Sequence, residues 1–530
     1  QPPRNRRIRR TKILEGEEKL SGVHMLPRKH ARNLKVARGV WISGELRGES
    51  SFKKESLLAA DWIRCRAQVR LRVAGAFAQT SNPLLEKRRP FLHAVARVPP
   101  QLFPPPLPCG SGRLCMNAGS RVVVTGLGAV TPLGLCVDAL WEGLVQGRCG
   151  IERISAFDPS ELRSQIAGEV RGFDSASAFS HPKEARHADR YSQFAVAAAR
   201  EAMRQSGLLA SGFEGHRVGV VIGSSNGGIT SLAGQSRVLA ESGARGLSPF
   251  AIPMLRNNMA SALVALEWGL EGPSFSVGAA CATASQSIGE ACRLIRLGEA
   301  DAVLAGGSEA PICDLIVGAF CAMRALSTRN EAPGMASRPF DRDRDGFVIA
   351  EGAGVLLLES EAHARRRGAQ ILGEIAGHGT ATDAHHLTQP RPDGAAALRA
   401  MNAALAQAHC SPEKLSCIFA HGTGTRAGDA AEAKSLARLL RGARVPVTAL
   451  KSMTGHLCGA SGALEVIAAV RALERGVIPP TIHLLEADSD NELELVAREA
   501  REARVEAVLC NAFGFGGANS CVVVRRYGGA

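Results

Sequence analysis

The chain has 530 residues, 45% of them hydrophobic and 22% charged, enough apolar material for about two to four packed cores. Its formal net charge of +14 is placed at one end: residues 1–120 hold 24 Lys and Arg against 8 Asp and Glu, and the remainder holds 40 against 42. The main body is therefore not a basic protein, and no apolar run reaches the roughly 20 residues a spanning helix needs, so no membrane span is expected.

Taken in chain order, residues 1–118 form a basic extension with Arg-rich patches at 4–10 and 87–89 and a proline cluster at 104–108. With little sustained hydrophobic periodicity, the segment is expected to be disordered. Its arginines fit an organelle-targeting peptide, although eight acidic residues and its length count against that reading. Met116, just before the first clean strand, is an alternative start. The location is cytoplasmic if Met116 is the true start, and plastid or mitochondrial if the extension is a transit peptide. A nucleic-acid-binding arm is weighed and set aside, and no nucleic-acid partner is expected.

Beyond Met116 short β-branched runs ending in glycine alternate with helical segments. Strands are predicted at 121–126, 218–223, 274–280 and 301–306, with helices at 285–297 and 396–409. A second series follows, with strand-like runs at 371–379, 415–422, 445–452 and 507–515 and helices at 429–441 and 462–475. The alternation predicts an α/β protein with helix-covered sheets. Two comparable halves, 119–365 and 366–530, are expected, although no sequence repeat proves a duplication. Fourteen cysteines lie scattered without CxxC spacing, several inside apolar runs such as Cys292, Cys417 and Cys521; a reducing compartment suits them.

The run VTGLGAVTPLG carries Gly126 and Gly128 after a strand, which invites a dinucleotide-binding reading. The third glycine of GxGxxG falls at Thr131 and Pro132 follows, so the reading is rejected. GGSEA and AEGAGV are read as tight turns between buried elements.

Chemistry gathers around Cys281, placed between an apolar strand and a helix rich in small residues. A thiol there meets the positive end of the helix dipole and free amides, which predicts a lowered pKa. His421 follows a strand in AHGTGT, and Lys451 and His456 sit in a loop, KSMTGH, that leads into a helix. Taken singly, each of these is more often a packing residue or a hydrogen-bonded structural one.

Together, these segments and RALSTRN, ASRPFDRDRDGFV, AEGAGVLLLE and NAFGFGGAN, in order from about Arg121 to Arg526, resemble the β-ketoacyl-[acyl carrier protein] synthases, most closely the type II elongating kind. The resemblance implies a thiolase-like fold, two similar α/β halves in a layered helix/sheet sandwich, and a homodimer. It implies that Cys281 carries the acyl chain and that the amides of Cys281 and Phe515 form an oxyanion hole. His421 and His456 would polarise the malonyl thioester carbonyl as carbon dioxide leaves, with Lys451 and Glu465 as an electrostatic pair. Thr423 and Thr425 would hold the phosphopantetheine arm, Phe515 would gate the acyl site, and Lys183 and Arg186 would help dock an acyl carrier protein. No metal and no resident cofactor are implied.

The family usually has Thr-Ala-Cys at the nucleophile, where this chain has Ala279-Ala280-Cys281. The rival readings are a polyketide ketosynthase, a catalytically silent chain-length-factor-like subunit, and a thiolase. The silent subunit typically lacks the nucleophile, and a thiolase uses a cysteine base where this chain has histidines. Residues 226–232 and 250–254 are candidates for shaping the acyl pocket across a dimer interface.

Overall fold

The computed structural model describes residues 121–528; the expectations for residues 1–118, including the choice of start and compartment, lie outside them. The described chain is built on a ten-stranded sheet. Its strands are β1 (Val122–Val130), β2 (Val218–Gly223), β3 (Ser274–Phe275), β4 (Ala302–Glu309) and β5 (Gly352–Ser360), then β6 (Gly373–Thr382), β7 (Cys417–Phe419), β8 (Val447–Thr448), β9 (Ala507–Gly514) and β10 (Ala518–Arg525). The main helices are α1 (Arg190–Ser206), α2 (Ile229–Ser242), α3 (Met259–Trp268), α4 (Thr283–Arg296), α5 (Ala395–Gln407), α6 (Arg426–Leu440) and α7 (Ser461–Arg475).

The sheet order is β8-β7-β9-β10-β6-β1-β5-β4-β2-β3. Counted outward from the middle, the two halves read β1-β5-β4-β2-β3 and β6-β10-β9-β7-β8, which is one order used twice. The directions repeat as well. In each half the first, fifth and fourth strands pair antiparallel, and the fourth, second and third pair parallel. A short antiparallel contact, Val123 with Glu374 and Val124 with Gly373, joins the halves. Strands β1, β2 and β4 are buried along their whole length and almost wholly apolar, as helix-covered strands must be.

The layering follows from which faces are apolar. Helices α1 and α3 cover the first half's strands and α5 the second's. Helices α4 and α7 pack on each other and touch strands of both halves. Ser461–Leu473 of α7 are buried without a break, the signature of a helix with no solvent face. The order is thus helix, sheet, central helix pair, sheet, helix.

Gly126 and Gly128 find their explanation here. A Cβ at these positions would stand 2.2 and 1.8 Å from the carbonyl oxygens of Ala202 and Ala198 on α1. Gly377 and Gly379 of β6 stand in the same relation to Ala404 and Ala400 of α5, at 2.0 and 2.2 Å. The glycines let the first strand of each half lie directly against its first helix, and they serve no phosphate loop.

Three local expectations are corrected. Only Ser274–Phe275 of the strand predicted at 274–280 pairs, because the chain must leave the sheet to present Cys281. The segments GGSEA and AEGAGV are the end of β4 and the start of β5 rather than turns. Lys451 opens a single buried helical turn, Lys451–Thr454, instead of lying in a loop. Cys292, Cys417 and Cys521 are fully buried, and all cysteines among the described residues are free. Among the described residues no helix is long and apolar enough to cross a membrane.

Candidate active site

Cys281 sits in a tight turn, Ala280–Ala282, directly before α4. Ala280 is held at φ 46°, a left-handed conformation that costs a non-glycine residue about 1 kcal/mol or more. The end of β9 closes on this turn: a Cβ on Gly514 would meet the Ala279 carbonyl oxygen at 2.6 Å and the Cys281 nitrogen at 3.0 Å. That closeness brings the backbone N–H of Phe515, together with that of Cys281 itself, against the sulfur.

The surroundings of the thiol oppose one another. Burial pushes it up to about 12, opposed by the Lys451 charge and those two amides and reinforced by Glu309. Burial thus acts against the lowering expected from the helix terminus.

His421 follows β7, and its loop is shaped by two carboxylates on the first turns of α6. Glu432 accepts the His421 and Gly422 amides at 2.9 and 2.8 Å and the Asn511 side-chain amide at 3.1 Å. Asp429 accepts the amides of Thr423, Gly424 and Phe340 at 3.1, 3.2 and 2.7 Å. Burial raises both carboxyls, Asp429 to about 7. His456 is anchored by its amide on the Val348 carbonyl at 2.7 Å and by Nδ1 against the Ser461 hydroxyl at 3.0 Å. The two imidazoles stand edge to face, centroids 5.4 Å apart.

Both rings are buried and both are held neutral. Burial and the Lys451 charge push His456 well below the ordinary histidine range, and the same causes with His456 do so for His421. Lys451 is 2% exposed and donates to Glu465 Oε1. Burial raises the Glu465 carboxyl to about 7 against the pull of Lys451. A buried cation needs such a partner.

One cavity of about 660 Å³ collects these groups: Cys281, His421, His456, Thr423, Thr425 and Phe515 all line it. The arrangement supplies a nucleophile, two amides beside it, and two neutral imidazoles able to donate to a developing oxyanion. This chemistry suits acyl transfer and enolate stabilisation.

Comparisons with known proteins agree with it. Residues 119–364 match the family model "Beta-ketoacyl synthase, N-terminal domain" and residues 372–485 match "Beta-ketoacyl synthase, C-terminal domain". The chain belongs to the β-ketoacyl synthase family. It is a condensing enzyme of the acyltransferase type. It is 44% identical over 409 residues to a 3-oxoacyl-[acyl-carrier-protein] synthase 2 of Synechocystis sp., covering 77% of this chain and 98% of that one. It is 43% identical over 408 residues to the protein of that name from Coxiella burnetii, covering 77% and 98%. Among solved structures, a β-ketoacyl synthase from Burkholderia phymatum superposes with a TM-score of 0.72 at 35% identity, over 77% of this chain and 99% of that one. The ishigamide ketosynthase/chain length factor does so with 0.73 at 34%, over 77% and 100%. A third, a type II polyketide acyl-carrier protein in complex with its ketosynthase, gives 0.71 at 34%, over 77% and 99%. The thiolase-like two-half fold is the fold of this chain.

In this ketoacyl synthase, Lys451 and Glu465 stand behind the imidazoles and do not line the cavity. Phe515 is 37% exposed, with its ring 6.5 Å from that of Phe320. Thr425 caps α6 by accepting the Gly428 amide, and its hydroxyl lies 3.0 Å from that of Thr423. Lys183 and Arg186 are exposed on a short turn of helix, Pro182–His187, away from the cavity lining. Of residues 226–232 and 250–254, only Asn226 lines the cavity in this chain.

Sequence reading missed three residues. Glu309, fully buried at the end of β4, accepts the Ser225, Asn226 and Gly459 amides at 2.9, 3.0 and 2.9 Å and so ties two cavity loops together. A lone carboxylate closing an apolar strand was the available signal, since such a charge is buried only when satisfied. Cys458 places a second thiol in the cavity lining, and Ser461 orients His456; neither carried a signal apart from the fold.

Proposed function

We propose that this protein is a 3-oxoacyl-[acyl-carrier-protein] synthase that elongates fatty acyl chains by decarboxylative Claisen condensation. The carrying observation is the convergence of Cys281, the amides beside it, His421 and His456 on one cavity. The Cys281 sulfur attacks the thioester carbonyl of an acyl chain carried on phosphopantetheine. The oxyanion rests on the Cys281 and Phe515 amides, and the carrier thiol leaves with the proton. A malonyl thioester then loses carbon dioxide, and its enolate oxygen is held by N–H groups of His421 and His456. In the tautomer whose Nδ1 accepts from the Ser461 hydroxyl 3.0 Å away, the other ring nitrogen of His456 carries the proton that faces the enolate. The enolate carbon attacks the acyl carbonyl, the new C–C bond forms as the C–S bond to Cys281 breaks, the released Cys281 thiolate takes a proton from solvent, and the chain grows by two carbons. The Lys451 charge, paired with Glu465, helps burial keep both rings neutral.

The relatives' printed name supports an acyl carrier protein as partner, as does the solved carrier–ketosynthase complex. Lys183 and Arg186 offer an exposed basic docking segment for such an acidic protein. A homodimer is supported by the edge position of β3 and by exposed apolar side chains in the first half, Leu239, Ile252 and Leu266; sedimentation velocity showing only monomer at micromolar concentration would contradict it. No metal and no cofactor enter the scheme.

The test is purified protein with a saturated acyl-carrier protein and malonyl-carrier protein: the 3-ketoacyl product and carbon dioxide are expected, and absence of product rejects the reading. Polyketide ketosynthases among the structural neighbours favour a second reading, in which unreduced product is extended again. Product mass separates the two, as one condensation per acyl chain supports the fatty-acid role.

A further inference from the structure

A second cavity, of about 280 Å³, lies between α4 of the first half and β6 and α5 of the second, and its lining shares no residue with that of the catalytic cavity. Gly377 and Gly379 of β6 face α5, so the alternation of the strand turns His378 to the opposite side. There Gly289 of α4 makes room for it: a Cβ on Gly289 would stand 2.1 Å from Cε1 of the His378 ring and 2.2 Å from Nδ1. Nε2 of that ring lies 2.9 Å from the Ser520 hydroxyl on β10, and Nδ1 has no partner among the described residues. Strand β6 pairs with β1 only at Gly373 and Glu374, which leaves the His378 amide to donate to Gln407 Oε1 at 2.7 Å. That bond orients the Gln407 carboxamide, whose NH2 is unbonded among the described residues. Glu290, the one carboxylate in the lining, accepts from Arg293 at 2.7 Å. Arg296 is half-buried, makes only a 3.4 Å contact with the Ile375 carbonyl, and has no carboxylate partner among the described residues. Burial pushes the His378 ring down to about 4, with Glu290 opposing and Arg296 assisting. The ring is neutral at physiological pH, and in the tautomer whose Nε2 accepts from Ser520 it keeps Nδ1–H as a free donor.

We propose that Arg296, Gln407 and His378 form a binding site for a phosphate group, separate from the catalytic cavity and independent of the condensing-enzyme reading. The three are neighbours: Gln407 is bonded to the amide of His378 itself, and Arg296 acts on the His378 ring and touches the same strand three residues earlier. What each has free is a donor, one of them cationic, while the carboxylate beside them is taken up by Arg293. Donors brought from a helix, a helix end and a strand suit a tetrahedral oxyanion, whose oxygens point four ways, better than a planar carboxylate. The guanidinium supplies the matching charge and fork. A ligand held there would tie α4, which begins beside Cys281, to the second half.

The test is calorimetric titration of the full chain with inorganic phosphate, methyl phosphate and acetate at constant ionic strength. Gln407→Glu keeps the oxygen that the His378 amide binds and exchanges the NH2 for a carboxylate oxygen. Arg296→Met keeps the apolar stem and removes the charge. Each is expected to weaken phosphate by about tenfold or more. The basic extension is the same in every protein, so the difference between wild type and variant reads the site. Gln407 is exposed, and its variant decides the matter even where Arg296→Met fails to fold. Hydrogen exchange gives a local readout: phosphate is expected to slow exchange at the end of α5 in wild type and not in Gln407→Glu. Phosphate binding unchanged in Gln407→Glu marks general attraction to basic surface and overturns the site, as does acetate that binds as tightly as phosphate. Methyl phosphate as tight as phosphate assigns the site to a phosphate ester, and a loss of about tenfold assigns it to the free ion; both uphold it.

Discussion

At the scale of single residues, burial works against ionisation of the nucleophile. With burial pushing the Cys281 thiol up to about 12 against the pull of Lys451 and two amides, the thiolate is expected to be scarce at neutral pH before a thioester binds. Alkylation of Cys281 by iodoacetamide, followed by peptide mass, should therefore keep accelerating through about pH 9 to 10. A plateau near neutrality would contradict the burial argument. Lys451 and Glu465 make the converse case. Lys451→Ala leaves a buried carboxylate alone and should cost about 3–5 kcal/mol in denaturant unfolding. The double change Lys451→Met/Glu465→Leu should recover most of that stability yet remain inactive in condensation, because the histidines lose the charge that helps hold them neutral. Activity in the stable double variant would remove the pair from the mechanism.

At the scale of elements, the site depends on close approaches that only glycine permits. Gly514→Ala places a methyl against the Ala279 carbonyl and the Cys281 amide, so β9 must draw back and take the Phe515 amide with it. The expected outcome is a folded protein whose acylation by acyl-carrier protein, followed by intact mass, slows by about 10²-fold, the size of losing an oxyanion donor. Gly126→Ala and Gly377→Ala push a strand off its helix instead, and each should cost about 1–3 kcal/mol or more in unfolding without a selective effect on acylation. The same glycines mark how far the sequence could be read. GLG at 126–128 and GHG at 377–379 are equivalent marks on two first strands, but a match of three residues is too short to prove a repeat until the strand order is seen. The blocks around Cys281, His421 and His456 were legible because polar residues interrupt apolar strand ends. Glu309 and Ser461 were not. The amides Glu309 accepts lie 83 to 150 residues away, so only the fold brings them together, and Ser461 meets His456, five residues earlier, only through the turn between them. The strand predicted through Ala280 failed because propensity carries no information about a left-handed turn imposed by tertiary contacts.

At the scale of the molecule, two copies of one sheet order enclose the central helices α4 and α7, and each half brings part of the reaction. The first half carries Cys281 at the start of α4. The second carries both imidazoles, in the loops after β7 and before α7. Burying the reaction between halves has a consequence for folding. His421 and His456 titrate well below 6.5 in the fold, whereas unfolded histidines titrate near 6.5. Below that pH the unfolded chain binds more protons, so these two groups make stability fall as pH falls, by up to about 1.4 kcal/mol per pH unit each. Asp429 and Glu465, raised to about 7, act oppositely: between about pH 4 and 7 the folded state binds the extra protons, and stability falls as pH rises. The raw pH profile therefore mixes opposing slopes, and the histidine part emerges only by difference. Urea unfolding of wild type and of His421→Gln/His456→Gln between about pH 5 and 6.5 should show the variant losing less stability on acidification, by up to about two protons' worth of slope. Parallel profiles would mean that the native rings already take up protons in this range, and charged imidazoles of that kind would undo the assignment of neutral donors to the enolate.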